Sequence, residues 1–351
     1  MAKTTLAVKY RPKSFDDVVE QQAIKDILTD QIKTGTFQHS YLFCGPAGCG
    51  KTTAARIFAN DINGGKGNPI EVDAASNNGV DNVREIIDGA RRKSLDSDYK
   101  VYIIDECHML STGAWNAMLK LLEEPPKTTV FIMCTTDPQK IPATILSRVQ
   151  RYNFSKISLD NIVKRLKHII ACEADEVFNE CGACADDALT YTEEAIQYIA
   201  KLADGGMRDS ITMLDKCLSL DPDLTIESVV KALGTVDYND HFDLLLFMEC
   251  NNKQSAAKLI EDIYNSGKDL KQFVKQFQYF VLDVCKYLMF RDFKYVSIPV
   301  LPEYKGRLED EDYERALVVL DWVRQLNADI KWESNPKAIV QTAIVLFKME
   351  V

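Results

Sequence analysis

Over the first 155 residues, short apolar runs alternate with stretches of helical spacing. Tyr41-Leu42-Phe43-Cys44 is a short apolar run ending at a glycine, and a helical pattern follows from about Thr52 to Asn60. Ile70-Glu71-Val72-Asp73 predicts a second strand. After it, Val80, Val83, Ile86, Ile87 and Ala90 recur at helical intervals. Val101-Tyr102-Ile103-Ile104-Asp105 predicts a third strand, apolar and β-branched enough to be buried on both faces. Trp115, Met118, Leu119 and Leu122 mark a helix that Pro125-Pro126 ends, and Val130-Phe131-Ile132-Met133-Cys134 predicts a fourth strand. Such alternation predicts a parallel sheet covered by helices. Beyond Ser155 the strand signal fades. Residues 159–220 predict three helices with a polar interruption around Asn179–Asp187, and Asp221-Pro222-Asp223 is a break. From about 236 to 351 the pattern is helical again, with a proline-containing loop at 299–302. There, Phe242, Leu245 and Leu246, then Phe273, Phe277, Phe280, Val281 and Val284, recur at the spacing of core positions.

At roughly 150 residues per domain, 351 residues suggest two or three domains. The pattern divides them into an α/β domain (1–155), a small helical domain (156–235) and a larger all-α domain (236–351). The charge sum, 42 Lys+Arg against 52 Asp+Glu, gives −10. That disfavours a protein coating nucleic acid by bulk charge, though not a local basic surface. No run of about 18 apolar residues exists, so no membrane span is expected. The start of the chain lacks the hydrophobic segment of a signal peptide, so the expected location is cytoplasmic and the ten cysteines are expected as thiols.

The chemistry concentrates at two strand ends. Gly45-Pro46-Ala47-Gly48-Cys49-Gly50-Lys51-Thr52 fits the phosphate-loop pattern GxxxxGK[ST], with a strand before it and a helix after it. The glycines let backbone N–H groups close round phosphates. Lys51 would reach the β and γ phosphates, and the Thr52 hydroxyl would bind Mg²⁺. The helix start, including Thr53, adds its positive dipole end. Asp105-Glu106 ends the third strand, where an aspartate helps hold Mg²⁺ and the adjacent glutamate is placed to polarise a water. On their own these would be a solvated strand end, and the upstream phosphate loop changes that reading. Cys107 and His108 read as local packing rather than a metal pair. Thr135-Thr136-Asp137 ends the fourth strand, with hydroxyls in reach of a γ-phosphate or an attacking water, and Asp137-Pro138 favours a turn just beyond.

These segments occur in one order together with Tyr10-Arg11-Pro12-Lys13-Ser14-Phe15-Asp16-Asp17-Val18-Val19, Asp73-Ala74-Ala75-Ser76-Asn77-Asn78-Gly79-Val80, Leu122-Glu123-Glu124-Pro125-Pro126, Ile145-Leu146-Ser147-Arg148 and Gly205-Gly206-Met207-Arg208-Asp209-Ser210. So arranged, the chain closely resembles the gamma/tau subunits of bacterial DNA polymerase III, the ATPases of the sliding-clamp loader in the AAA+ superfamily. The resemblance is dense over 1–155 and fainter to the end, in the manner of the short, gamma-like form.

The resemblance implies an AAA+ core, a helical lid and a collar that joins subunits into a hetero-oligomeric ring. Its implied cofactors are ATP and Mg²⁺, and its implied partners are other loader subunits, a sliding clamp and primer–template DNA. Tyr10, Arg11, Pro12, Val18 and Val19 would pack around adenine. Thr135 would be the first γ-phosphate sensor, and Arg208 the second. Arg148 would be a finger acting on a neighbour's ATP, worth about 10³–10⁵ in rate in comparable enzymes.

Two departures stand out. The zinc module that the family usually inserts ahead of Asp73-Ala74-Ala75-Ser76 has no counterpart between Ala59 and Ile70, and the finger triplet ends in Val149 where cysteine is usual. Elsewhere, His168, Cys172, Cys181 and Cys184 form a legitimate zinc set by type, but one C-x2-C pair is a weak signal, and zinc is not expected. Asn77, Asn78 and Arg84, at a helix start, suit DNA backbone contacts, with a capped, solvated helix start as the plainer alternative. Trp115 reads as core. The expected function is an ATPase that opens a clamp and places it on primed DNA. The alternatives are a non-hydrolysing structural subunit, against which Lys51, Thr52, Asp105 and Glu106 argue, and a branch-migration helicase, against which the motif from Asp73 to Val80 argues.

Overall fold

A computed structural model describes residues 4–94, 96–181, 189–233, 238–296, 298, 302–331 and 335–349. The chain divides into two compact units, one of residues 1–190 with 199–222 and one of residues 191–198 with 223–351.

The first unit is built on five parallel strands: β1 (Ser40–Cys44), β2 (Ile70–Asp73), β3 (Lys100–Asp105), β4 (Thr129–Thr135) and β5 (Gln150–Asn153), in the order β2-β3-β4-β1-β5. Side-chain alternation explains why the central strands read as continuous apolar runs. Tyr41 and Phe43, Val101 and Ile103, and Val130, Ile132 and Cys134 share one face, where they meet Ala54, Ala55 and Phe58 of the helix Lys51–Ile62. Leu42 and Cys44, Tyr102 and Ile104, and Phe131 and Met133 share the other. There they meet Val83 and Ile86 of the helix Val80–Ala90 and Trp115, Met118 and Leu122 of the helix Thr112–Glu123. Each face thus needs apolar residues at every second position, so a strand covered on both faces needs them at every position.

The fourth and fifth strands separate what is legible from what is not. Every residue of β4 is buried, whereas in β5 only Tyr152 is. The sequence Gln150-Arg151-Tyr152-Asn153 of this edge strand has one apolar position and so shows no alternation, whereas β2, at the opposite edge, shows it at Ile70 and Val72. The helix Gln22–Thr34 was equally absent from the expectations. The helix Thr112–Glu123 starts where the Ser111 side chain accepts a hydrogen bond from the Ala114 N–H (3.2 Å), and it stops at Glu124, ahead of the two prolines.

Helices Leu159–Cys181, Glu193–Leu202 and Met207–Leu220 match the three expected over 159–220, although the first continues past Asn179. The second unit holds the helices Ile226–Leu233, Tyr238–Glu249, Lys253–Asn265, Leu270–Phe290, Pro302–Asp310, Tyr313–Ile330 and Pro336–Leu346. Side chains of Asn252, Asp269, Asp312 and Asn335 each accept a backbone N–H at a helix start. Phe242, Leu245, Phe273, Phe277, Phe280, Val281 and Val284 are buried in one core. Leu246, expected alongside them, is 47% exposed. It follows Leu244 and Leu245, both buried, and three successive helical residues span too wide an arc for all to face one core.

Candidate functional site

The loop between β1 and the helix Lys51–Ile62 takes backbone conformations that only glycine adopts freely: φ is +70° at Gly48 and +100° at Gly50. Gly48 is also tight. A Cβ there would lie 2.9 Å from the Gly206 Cα, and the Met207 N–H donates to the Gly48 carbonyl at 3.0 Å. The phosphate loop and the start of the helix Met207–Leu220 are therefore in backbone contact. Lys51 is 6% exposed, and its Nζ donates to the carbonyls of Gly45 and Pro46, both at 2.8 Å.

Thr52 faces the end of β3, and its hydroxyl donates to Asp105 Oδ2 at 2.9 Å. Two hard oxygen donors so paired, beside a lysine and a glycine-rich loop, fit a nucleotide-bound Mg²⁺. Glu106 follows in the left-handed region, φ +46° and ψ +43°. A non-glycine residue there costs about 1–3 kcal/mol and persists only where its surroundings fix it. Glu106 Oε2 accepts from the Thr136 hydroxyl (2.9 Å) and N–H (3.4 Å) and lies 3.2 Å from His108 Nδ1.

A cavity of about 400 Å³ joins these groups. It is lined by Gly48, Gly50, Lys51, Thr52, Thr53, Asp105 and Glu106 on one side, and by Tyr10, Arg11, Pro12, Val18 and Val19 on another, with Arg208 at its helical rim. Gly45 lies outside this lining and contributes its carbonyl to Lys51. The Thr135 side chain is buried. Its hydroxyl lies 3.2 Å from His108 Nδ1 and accepts the Asp137 N–H at 3.0 Å, so it faces the histidine rather than the cavity. Arg148 is likewise outside the cavity. Its Nε donates to Glu123 Oε1 at 2.8 Å, a second guanidinium nitrogen reaches the same oxygen, and a third reaches the Thr144 carbonyl.

Asn77 and Asn78 occupy the turn after β2: the Asn77 side chain donates to the Asp73 carbonyl at 3.0 Å, and the Asn78 carbonyl accepts the Ser111 N–H at 3.1 Å. Arg84 is exposed and paired with Asp81 at 2.9 Å. Of the zinc set, His168 Nε2 and Cys172 Sγ are 3.8 Å apart; the Cys181 side chain and Cys184 lie outside the described residues.

Sequence reading missed several residues here. Arg165 lines the cavity, with one nitrogen donating to the Tyr10 carbonyl at 3.0 Å, and Arg56 and Asp209 line it too. Arg56 is four residues past Thr52 on one helix, so helical spacing would have found it. Arg165 comes from a helix over a hundred residues away, and no local signal points to it. Tyr10 is anchored as well: its hydroxyl donates to Glu173 Oε1 at 2.7 Å, and burial followed by this carboxylate raises its pKa far above the ordinary range. Burial pushes the Cys107 and Cys134 thiols well up, and the nearby Asp105 and Glu106 charges push them further the same way. Both cysteines, one in β4 and one in the turn after β3, are therefore neutral packing groups.

The strand order, the phosphate loop and the acidic end of β3 define an AAA+ P-loop fold. Thermotoga maritima RuvB, described as a Holliday junction branch migration motor, superposes with a TM-score of 0.51 at 17% identity, covering 74% of this chain and 86% of that one. Identity that low speaks for the fold alone. A family model described as DNA polymerase III, delta subunit, matches residues 69–158. The tau subunit of DNA polymerase III from Bacillus subtilis is 34% identical over 360 aligned residues, covering 96% of this chain and 62% of the relative. The Escherichia coli K12 tau subunit is 33% identical, covering 76% of this chain and 43% of the relative. The chain is a homologue of the DNA polymerase III tau/gamma subunits. It spans between two fifths and two thirds of the length of these relatives.

Proposed function

We propose that this chain is an ATPase subunit of a clamp loader. It would use ATP binding and hydrolysis to open a sliding clamp and set it on primer–template DNA during replication. In this reading residues 1–155 are the ATPase core, 156–235 the lid and 236–351 the collar of a hetero-oligomeric ring. The observation that carries it is the convergence of Lys51, the Thr52–Asp105 pair and Glu106 on one cavity beside the phosphate loop. The tau/gamma relatives supply the biological setting.

The residues divide the work. Loop N–H groups and Lys51 bind the phosphates, with Lys51 exchanging its two carbonyl partners for phosphate oxygens. Thr52 and Asp105 would hold Mg²⁺, which supplies charge neutralisation at the phosphates. Glu106 takes a proton from the attacking water. Arg208, at the start of a helix in backbone contact with the phosphate loop, would report the γ-phosphate to the lid. Thr135 would act on the γ-phosphate only after turning from His108. Arg148, remote from its own chain's cavity, is suited to act on a neighbouring subunit's nucleotide. Asn77, Asn78 and Arg84 would add DNA backbone contacts.

The test is ATPase activity of the reconstituted assembly with and without clamp and primed DNA. Stimulation by either supports the loader. No response to either would remove it and favour a different AAA+ motor.

A further inference from the structure

The Cys107–Met109 turn that follows the acidic strand end has a role the motif alone does not assign. His108 is nearly buried, with 11% of its side chain exposed, and its Nδ1 lies 3.2 Å from both Glu106 Oε2 and Thr135 Oγ1. Thr136 reaches the same Glu106 oxygen with its hydroxyl and its N–H. All three contacts therefore fall on Oε2. Among the described residues no hydrogen bond reaches Oε1, the other oxygen of this cavity-lining carboxylate. A carboxylate gripped by one oxygen is fixed in rotation, with the other free to take a proton. The turn that carries the ring is itself held. The Met109 N–H donates to the Glu106 carbonyl at 2.9 Å, the Leu110 N–H to the Cys107 carbonyl at 3.1 Å, and the Ser111 N–H to the Asn78 carbonyl at 3.1 Å.

We propose that His108 is the positioning residue of this site: its Nδ1–H donates to Glu106 Oε2, fixes the carboxylate against Thr136, and ties its orientation to the Thr135 hydroxyl. The proton sits on Nδ1 because that nitrogen faces a carboxylate, where an N–H is attracted and a lone pair is repelled. The role rests on Glu106 being the base. Misplacing a base by about 1 Å costs on the order of 100-fold in rate without changing substrate binding.

The experiment uses the full chain in its reconstituted assembly and measures nucleotide affinity separately from kcat and KM. His108→Phe keeps an apolar ring and removes the donor, whereas His108→Asn keeps a donor near the Nδ1 position. The expected result is a fall in kcat of about 10- to 100-fold for His108→Phe, with nucleotide affinity and KM within about twofold. His108→Asn should recover most of the loss. Added to Glu106→Gln, His108→Phe should cause no further loss, because a positioning group has nothing left to position. Equal losses in His108→Phe and His108→Asn, a loss of nucleotide binding in His108→Phe, or a further loss on top of Glu106→Gln would each make the histidine a packing residue. If Glu106→Gln hydrolyses normally, the reading of the base itself fails. If Glu106→Gln is inactive and His108→Phe is normal, only the role of the histidine fails.

Discussion

Lys51 spends its charge on two carbonyls of its own loop, at 2.8 Å each, while only 6% exposed. An ammonium so sheltered must be matched by acceptors, and phosphate oxygens are better acceptors than amide carbonyls. Lys51→Ala is therefore expected to abolish nucleotide binding, read by titration with a fluorescent ATP analogue; micromolar binding in the variant would remove the lysine from the site. Arg148 is held differently. Its partner Glu123 is half exposed, and a pair of this kind contributes about 0–1 kcal/mol, little enough to surrender to a neighbour's phosphate. Arg148→Ala should keep nucleotide affinity and lose hydrolysis in the assembly by about 10³-fold or more. Normal turnover would mean the finger is wrongly assigned. At this scale the sequence was legible where chemistry depends on neighbours in the chain: GxxxxGK[ST] fixes loop, lysine and hydroxyl within eight residues. It was silent where partners come from afar. Arg165 reaches Tyr10 across 155 positions, and His108, read as packing, meets Thr135 from 27 positions away.

Elements carry their own constraints. Gly48 combines φ +70° with backbone 2.9 Å from where a Cβ would stand, and backbone cannot move aside as a flexible side chain can. Gly48→Ala should lower nucleotide affinity at least tenfold while the melting temperature falls only modestly, since about 1–3 kcal/mol of strain is concentrated in the loop. In the second unit, Phe277→Ala would leave a cavity beside Phe273 and Phe280 and cost about 3–5 kcal/mol, measurable by denaturant unfolding.

Glu249, at the end of the helix Tyr238–Glu249, is 8% exposed. Burial, then the Glu311 carboxylate, pushes its pKa from 4.5 up to about 9. Between those values the unfolded chain has released this proton and the folded chain keeps it. The contribution to stability is thus whole below pH about 4.5 and is lost progressively as pH rises towards 9. Glu249→Gln should raise the melting temperature at pH 8 and leave it unchanged at pH 4.5; equal shifts at both would separate the effect from ionisation. Central strands were legible because burial on both faces forces apolar residues at every position. Edge strand β5 was not, since Tyr152 is its one apolar residue, whereas the opposite edge, β2, was legible through Ile70 and Val72.

Across the whole molecule, the −10 charge argues that any hold on DNA comes from local contacts. Affinity of the assembly for primed DNA should fall with salt along a log–log slope set by a few phosphates per subunit, and a flat response would exclude backbone contact. The order β2-β3-β4-β1-β5 has a further consequence, for how the protein is made. The phosphate loop hangs from β1, but both sheet neighbours of β1 are encoded much later: Ser40 pairs with Phe131, and Tyr41 with Gln150. A ribosome adding roughly 5–20 residues per second would expose Tyr41-Leu42-Phe43 for on the order of ten seconds before either neighbour emerges. During that interval the apolar segment that carries the phosphate loop is nascent chain without its sheet partners.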